Sequence, residues 1–344
     1  MNTLLLNNSE KDIDTAARIL RNGGIVAIPT ETVYGLAADA LNGAAVAKIF
    51  KAKGRPMDNP LIVHIADLDD IRRLNLTADF PAQAKMLAEA FWPGPLTIIL
   101  PKSELIPDEV SAGLDTVAIR FPSHPIANEI IKKSGTALAA PSANTSGAPS
   151  PTTAQHCIHD LMGKADAVLD GGACEVGVES TVVSLAVNPP RLLRPGGITA
   201  EQLRAVLGTV EIDDAVFNKL QQGAVAASPG MKYKHYAPKA NVVLVKGDDE
   251  EFCRFVNSHA DVSTAALCFD EDAGQVCVPA FTVGKRGDYA AFAKQLFDKL
   301  RDIDEHGEIK NVYARCPKAD GIGMAVYNRL IRAAGFEVIN LEKI

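Results

Sequence analysis

Gly24-Ile25-Val26-Ala27-Ile28-Pro29-Thr30-Glu31-Thr32-Val33-Tyr34-Gly35-Leu36 decides the fold. Ile25 to Ile28 is an unbroken apolar run, too short for a helix and bounded by Gly and Pro, so it reads as a strand buried on both faces. The chain then turns polar at once, with two threonines around a glutamate. Hydroxyls and a carboxylate at the C-terminal end of a buried strand are what open α/β sheets offer to ligands. Taken alone, the segment is equally a polar turn.

Working outward, Asp12 to Arg21 places Ile13, Ala16, Ala17 and Leu20 at helical spacing before that strand. After it, helical stretches at Ala44–Lys51, Ala82–Phe91 and Ile126–Lys133 alternate with strands at Leu61–Ile65, Leu96–Leu100, Thr116–Phe121, Ala137–Ala140, Ala167–Asp170, Ser180–Leu185 and Arg191–Arg194. Thr199 is a good N-cap for a short helix to Leu207. Several strands follow one another too closely for a crossover helix, which predicts a mixed sheet over residues 1–207. Residues 208–240 change character. Their centre, Ser228-Pro229-Gly230-Met231-Lys232-Tyr233-Lys234-His235-Tyr236-Ala237-Pro238, is rich in turns and has no period, and reads as a linker with more aromatic and basic residues than a spacer needs. Residues 241–344 return to strand–helix alternation, with strands at Val242–Val245, Ala265–Phe269, Asn311–Arg315 and near Val338, and helices at Glu250–Ser258, Tyr289–Ile303 and Met324–Ala334. A smaller, parallel, Rossmann-like α/β domain fits.

Composition limits the function. Lys+Arg number 18 against 22 Asp+Glu up to Leu207, and 17 against 20 beyond it. Neither half is a broad basic surface of the kind that grips nucleic acid through its phosphates, so no strong nucleic-acid binding is expected. The six cysteines form no CxxC pair and no zinc-finger spacing, which suits reduced thiols and no structural metal. No run approaches the ~20 apolar residues that span a bilayer, and a cytoplasmic protein is expected.

Four further segments carry chemistry. Lys51-Ala52-Lys53-Gly54-Arg55-Pro56, followed by Asn59 and His64, concentrates cations around a glycine in a pattern suited to polyphosphate, although no Walker loop is present. Arg120 ends a run of apolar strand residues and there needs either a partner or a ligand. Pro141-Ser142-Ala143-Asn144-Thr145-Ser146-Gly147, running on to Ser150, supplies hydroxyls and an amide. Glu179-Ser180-Thr181 and Arg194 add another hydroxyl pair and another guanidinium. Nothing announces a covalent nucleophile. Cations and hydroxyls recurring at strand ends suit phosphoryl or nucleotidyl transfer, in which the protein positions reactants and neutralises charge.

Together these segments closely resemble the YrdC-like family. Its Lys-x-Arg and Ser-x-Asn signatures stand here as Lys53-Gly54-Arg55 and Ser142-Ala143-Asn144. PTETVYGL (29–36), NPLIVHI (59–65), FWPGPLT (91–97), AIRFP (118–122), VESTVV (178–183) and LLRPGG (192–197) follow in the family's order. The linker and the domain after it look like the long, two-domain form of the family. The resemblance implies an α/β YrdC-like catalytic domain with a twisted, open mixed sheet. It also implies synthesis of L-threonylcarbamoyl-AMP from L-threonine, bicarbonate and ATP, with Mg²⁺ brought by the ATP and pyrophosphate released. Carried over by position, Thr32, His64, Arg120, Ala140 and Ser180 line the threonine pocket. Arg55, Asn59, Thr116, Ser142, Asn144, Ser150 and Arg194 meet ATP, Lys53 joins Arg55 in neutralising its phosphates, and Tyr233 or Tyr236 of the linker closes over the nucleotide. The implied partner is a tRNA threonylcarbamoyltransferase, met transiently, that modifies an adenosine beside the anticodon. An RNA-binding module of the same fold is the alternative.

Overall fold

The computed structural model describes residues 2–219, Ser228 and residues 236–343. They form two compact units. The first holds the described chain to Ser146, Ser150–Val216 and Ser228; the second holds Gly147–Pro149, Phe217–Lys219 and the described part of Tyr233–Ile344.

The first unit is built on a sheet of strands β1 (Leu4–Leu6), β2 (Val26–Ile28), β3 (Gly35–Asp39), β4 (Ile62–His64), β5 (Leu96–Pro101), β6 (Thr116–Arg120), β7 (Leu138–Ala139), β8 (Ala167–Leu169), β9 (Thr181–Ser184), β10 (Arg191–Arg194) and β11 (Glu211–Ile212). Their order across the sheet is β1-β8-β2-β3-β7-β4-β6-β5-β9-β10-β11. The expected mixed sheet is present: β4 and β6 run parallel, while β2/β3, β3/β7, β4/β7 and β5/β6 are antiparallel. The Glu10–Arg21 helix starts where the Ser9 hydroxyl accepts from the Asp12 N–H, and turns Ile13, Ala16, Ala17 and Leu20 into the core. The Gly43–Lys53 helix ends on Gly54, whose left-handed φ of 62° turns the chain so that Arg55 leaves the helix axis.

Two differences from the sequence reading concern this unit. Strands β1 and β3 were not anticipated. Gly35-Leu36-Ala37-Ala38-Asp39 has little β propensity and becomes a strand because β2 and β7 flank it. The unit also runs past Leu207: β11 pairs with β10, and Ala215 packs in a buried cluster with Ile62, Ile99, Ala118, Val182 and Leu193.

The second unit is the expected small parallel sheet, with β12 (Asn241–Lys246), β13 (Thr264–Cys268), β14 (Ala280–Thr282), β15 (Asn311–Arg315) and β16 (Val338–Asn340) in the order β14-β13-β15-β12-β16. β14 was not anticipated. Placing β15 between β12 and β13 departs from the dinucleotide-fold order, in which the first two strands of the unit would be neighbours. At the end of β15, Arg315 grips Asp272 with Nε and Nη2 at 2.9 and 2.7 Å and lies 4.3 Å over the Phe252 ring, a self-satisfied buried ion pair. Within this unit the Pro149 carbonyl accepts from Arg301 Nη2 at 2.6 Å, and the Gly147 carbonyl from the Ala237 N–H at 3.0 Å. No helix among the described residues is long and apolar enough to cross a membrane.

Candidate active site

Backbone hydrogen bonds zip the five motif segments of the first unit together. The Leu36 N–H donates to Pro141 and the Ala143 N–H to Tyr34, tying the first motif to the Ser142–Asn144 loop at 2.9 and 2.8 Å. Val176 and Gly177 donate to Glu31 and Thr32. Ala140 donates to Ile62, Ile65 to Arg120, and Thr181 to Pro95. Gly35 permits one of these approaches, since a Cβ there would stand 3.1 Å from that of Ala140.

Strand register then aligns the side chains. His64 is the neighbour of Arg120 across β4/β6, and Thr97 is its neighbour across β5/β6. Register partners share a face, so histidine, arginine and threonine form one row across three strands. Arg120 is 3% exposed. Its Nη1 donates to Thr32 Oγ1 at 2.9 Å and its Nε to the Gly94 carbonyl at 3.4 Å, and its Nη2 lies 2.8 Å from Glu31 Oε1. Burial opposes ionisation of Glu31, but the charge of Arg120, together with hydrogen bonding from Arg120 and from the Glu31 and Ser123 backbone, holds the carboxyl below its ordinary range. His64 Nδ1 donates to the Ile62 carbonyl at 3.1 Å. Burial, reinforced by the Arg120 charge, pushes the imidazole pKa down to about 3, so it is neutral at physiological pH. At the far end of the row, Thr97 Oγ1 and Ser180 Oγ are 2.7 Å apart, and Arg194 reaches Ser180 through Nη2 to Oγ at 3.1 Å and Nε to the carbonyl at 3.0 Å. Thr32, His64, Arg120 and Ser180 thus converge, with Ala140 at the edge of β7.

The residues expected to meet ATP come from several segments. Ser142 Oγ donates to Asn144 Oδ1, and Asn144 Nδ2 donates to the Thr145 carbonyl. Asn59 is 1% exposed, and its Oδ1 is without a hydrogen bond among the described residues. Arg55 Nη2 reaches the carbonyls of Asn59 and Pro60 at 3.4 and 3.5 Å. Ser150 Oγ donates to Glu179 Oε1. Thr116 opens β6, half-buried.

Lys53 is 2% exposed, and its ammonium donates to the Ser142 carbonyl, the Asn144 carbonyl and Asn144 Oδ1, so it holds the Ser142–Asn144 loop. Tyr236 packs in the second unit, its ring 5.2 Å from Phe297 and under Arg329. Tyr233 lies outside the described residues. In the sequence reading Glu31 entered only as a carboxylate offered to ligands, and Thr97 and Glu179 were given no role, although all three stand inside quoted motifs. Among the described residues no three His, Cys, Asp or Glu side chains gather to hold a metal, and no cysteine is in a disulfide.

Buried guanidinium groups, a neutral histidine and hydroxyls gathered where strands end make a centre chemically suited to anionic and hydroxylated ligands. Comparison with known proteins makes this specific. Residues 18–196 match the Sua5–YciO–YrdC family model, described as telomere recombination, and residues 198–335 match the C-terminal domain of threonylcarbamoyl-AMP synthase. The chain is 45% identical over 338 residues to the threonylcarbamoyl-AMP synthase of Bacillus subtilis, covering 97% of this chain and 96% of the relative. It is 44% identical over 350 residues to the protein of the same name from Pyrococcus abyssi, covering 98% and 100%. The crystal structure of P. abyssi Sua5 complexed with L-threonine superposes with a TM-score of 0.88 at 42% identity, over 99% of this chain and 100% of that one. The chain belongs to the Sua5–YciO–YrdC family, in the two-domain form that carries the threonylcarbamoyl-AMP synthase C-terminal domain.

Proposed function

We propose that the protein makes L-threonylcarbamoyl-AMP from L-threonine, bicarbonate and ATP, releasing pyrophosphate. The observation that carries this reading is the Thr32–Arg120–His64–Ser180 row in a chain so similar, from end to end, to threonylcarbamoyl-AMP synthases. Threonine's amine bonds to the carbon of bicarbonate while a C–O bond of the bicarbonate breaks and water leaves, giving a carbamate. A carbamate oxygen then bonds to the α-phosphorus of ATP while the bond from that phosphorus to pyrophosphate breaks.

The row supplies cationic Arg120 for a carboxylate and hydroxyls for the threonine side chain; neutral His64 adds a polar ring without charge. Arg55 and Arg194 neutralise charge gathering on the phosphates, while Asn59, Thr116, Ser142, Asn144 and Ser150 position the nucleotide. ATP brings Mg²⁺ held by its own phosphates and water, an arrangement that needs no protein cage. The product passes transiently to a tRNA threonylcarbamoyltransferase, which suits a cytoplasmic enzyme.

The test is pyrophosphate release from ATP with purified protein. Release is expected only when L-threonine and bicarbonate are both present, with slower turnover of serine because one methyl is worth ~1–3 kcal/mol in a small pocket. Equal release without an amino acid would refute the assignment.

A further inference from the structure

Glu31 is 4% exposed and lies 2.8 Å from Arg120 Nη2, yet the contact is one of charges and not of aligned hydrogen bonds. Among the described residues neither carboxylate oxygen of Glu31, nor Nη2 of Arg120, has a hydrogen bond of good geometry. The other groups of the guanidinium are committed, Nη1 to Thr32 and Nε to Gly94. The Glu31–Arg120 ion pair is therefore close but poorly aligned, and it leaves lone pairs on Glu31 and an N–H of Nη2 that a ligand can engage with better geometry.

An α-amino acid zwitterion answers both needs. Its carboxylate offers acceptors to Nη2, and its ammonium carries three donors for Glu31. The residues assigned to threonine by family position are Thr32, His64, Arg120, Ala140 and Ser180, and none is an anion. The other buried carboxylate nearby, Glu179, is already engaged by the Ser150 hydroxyl.

We propose that Glu31 is the ammonium-recognising residue of the amino-acid site, pairing with the substrate's α-amino group while Arg120 takes its carboxylate. The proposal rests on the threonine reading above and adds to it the group that selects amino acids over hydroxy acids. An alternative role, in which Glu31 only orients Arg120, makes a different prediction.

Calorimetric binding of L-threonine and of (R)-3-hydroxybutyrate, which is threonine without its amino group, separates the two. Wild-type protein binds threonine more tightly. Glu31→Gln is expected to weaken threonine at least about tenfold, the scale of losing a buried charge-assisted contact, and to leave (R)-3-hydroxybutyrate within about twofold. Equal weakening of both ligands would mean that Glu31 acts through Arg120, and unchanged threonine binding would mean that it does not touch the ammonium; either overturns the proposal. If Glu31→Gln fails to fold by circular dichroism, Glu31→Asp keeps the charge and withdraws it by one methylene. It should weaken threonine alone, and parallel loss of both ligands overturns the proposal again. Failure of the wild-type protein to bind threonine overturns the functional reading itself, and this inference with it.

Discussion

His64 and Lys53 are both buried, and different consequences follow. His64 is neutral in the native protein, with a pKa pushed down to about 3 by burial and by Arg120. In the unfolded chain an imidazole titrates near its ordinary value of about 6.5. Between those values the unfolded state binds a proton that the native state refuses, so stability rises with pH across the window and falls on acidification. The slope from this one group is about 1.4 kcal/mol per pH unit. Urea unfolding between about pH 5 and 6.5, above most carboxylate titration, should be less pH-dependent in His64→Gln than in wild type. Identical slopes would show that His64 is not held neutral. Lys53 satisfies three oxygens of one loop. Lys53→Met should therefore cost at least about 2 kcal/mol in urea unfolding, because it orphans buried acceptors. Arg55→Ala should leave the urea midpoint almost unchanged and cut pyrophosphate release by about two orders of magnitude, the scale of one lost electrostatic contact. A mutant Arg55 enzyme with normal turnover would make the segment a solvated turn. Arg120, His64 and Ser180 were legible because polar side chains at strand ends stand out against apolar neighbours. The hold of Lys53 was not, because its acceptors come from a loop far along the chain, and neither spacing nor charge in the sequence reveals that they meet.

Elements obey the same division. Strands rich in Val, Ile and Leu, such as β5, β6 and β12, can be read locally because a short apolar run has few other uses. β3, made of small residues, and β11, of two residues, owe their existence to partners already in place. The most exacting demand between elements falls on Gly196, just beyond β10. A Cβ there would stand 2.3 Å from the Thr181 nitrogen and 2.6 Å from the Glu179 carbonyl oxygen. Both are backbone atoms of the segment that carries Ser180 and leads into β9, so they cannot swing aside. Gly196→Ala should destabilise by about 3 kcal/mol or more, beyond ordinary overpacking, and weaken threonine through displaced Ser180. Gly54→Ala is the contrast. No atom lies within 4 Å of its Cβ position, and only the left-handed φ of 62° resists, at about 1–2 kcal/mol. Equal unfolding midpoints for the two variants would show that the β9 segment yields.

At the scale of the whole molecule, the question is where the first unit stops and what the rest of the chain contributes. The sequence reading ends the catalytic domain at Leu207 because the periodic pattern stops there and the turn-rich linker begins. The structure carries the first unit on to Val216, with β11 added to β10 and with Ala215 and Val216 buried. A chain ending at Leu207 loses these and uncovers Leu193 and Ile99, so it should be less stable than a chain ending at Val216 by about 2–5 kcal/mol, the range for emptying a buried apolar site. The chain ending at Val216 should fold cooperatively in urea and bind threonine as the full chain does, since Thr32, His64, Arg120 and Ser180 lie within it. Loss of threonine binding in a chain that ends at Val216 and still unfolds cooperatively would show that the row alone does not make the amino-acid site.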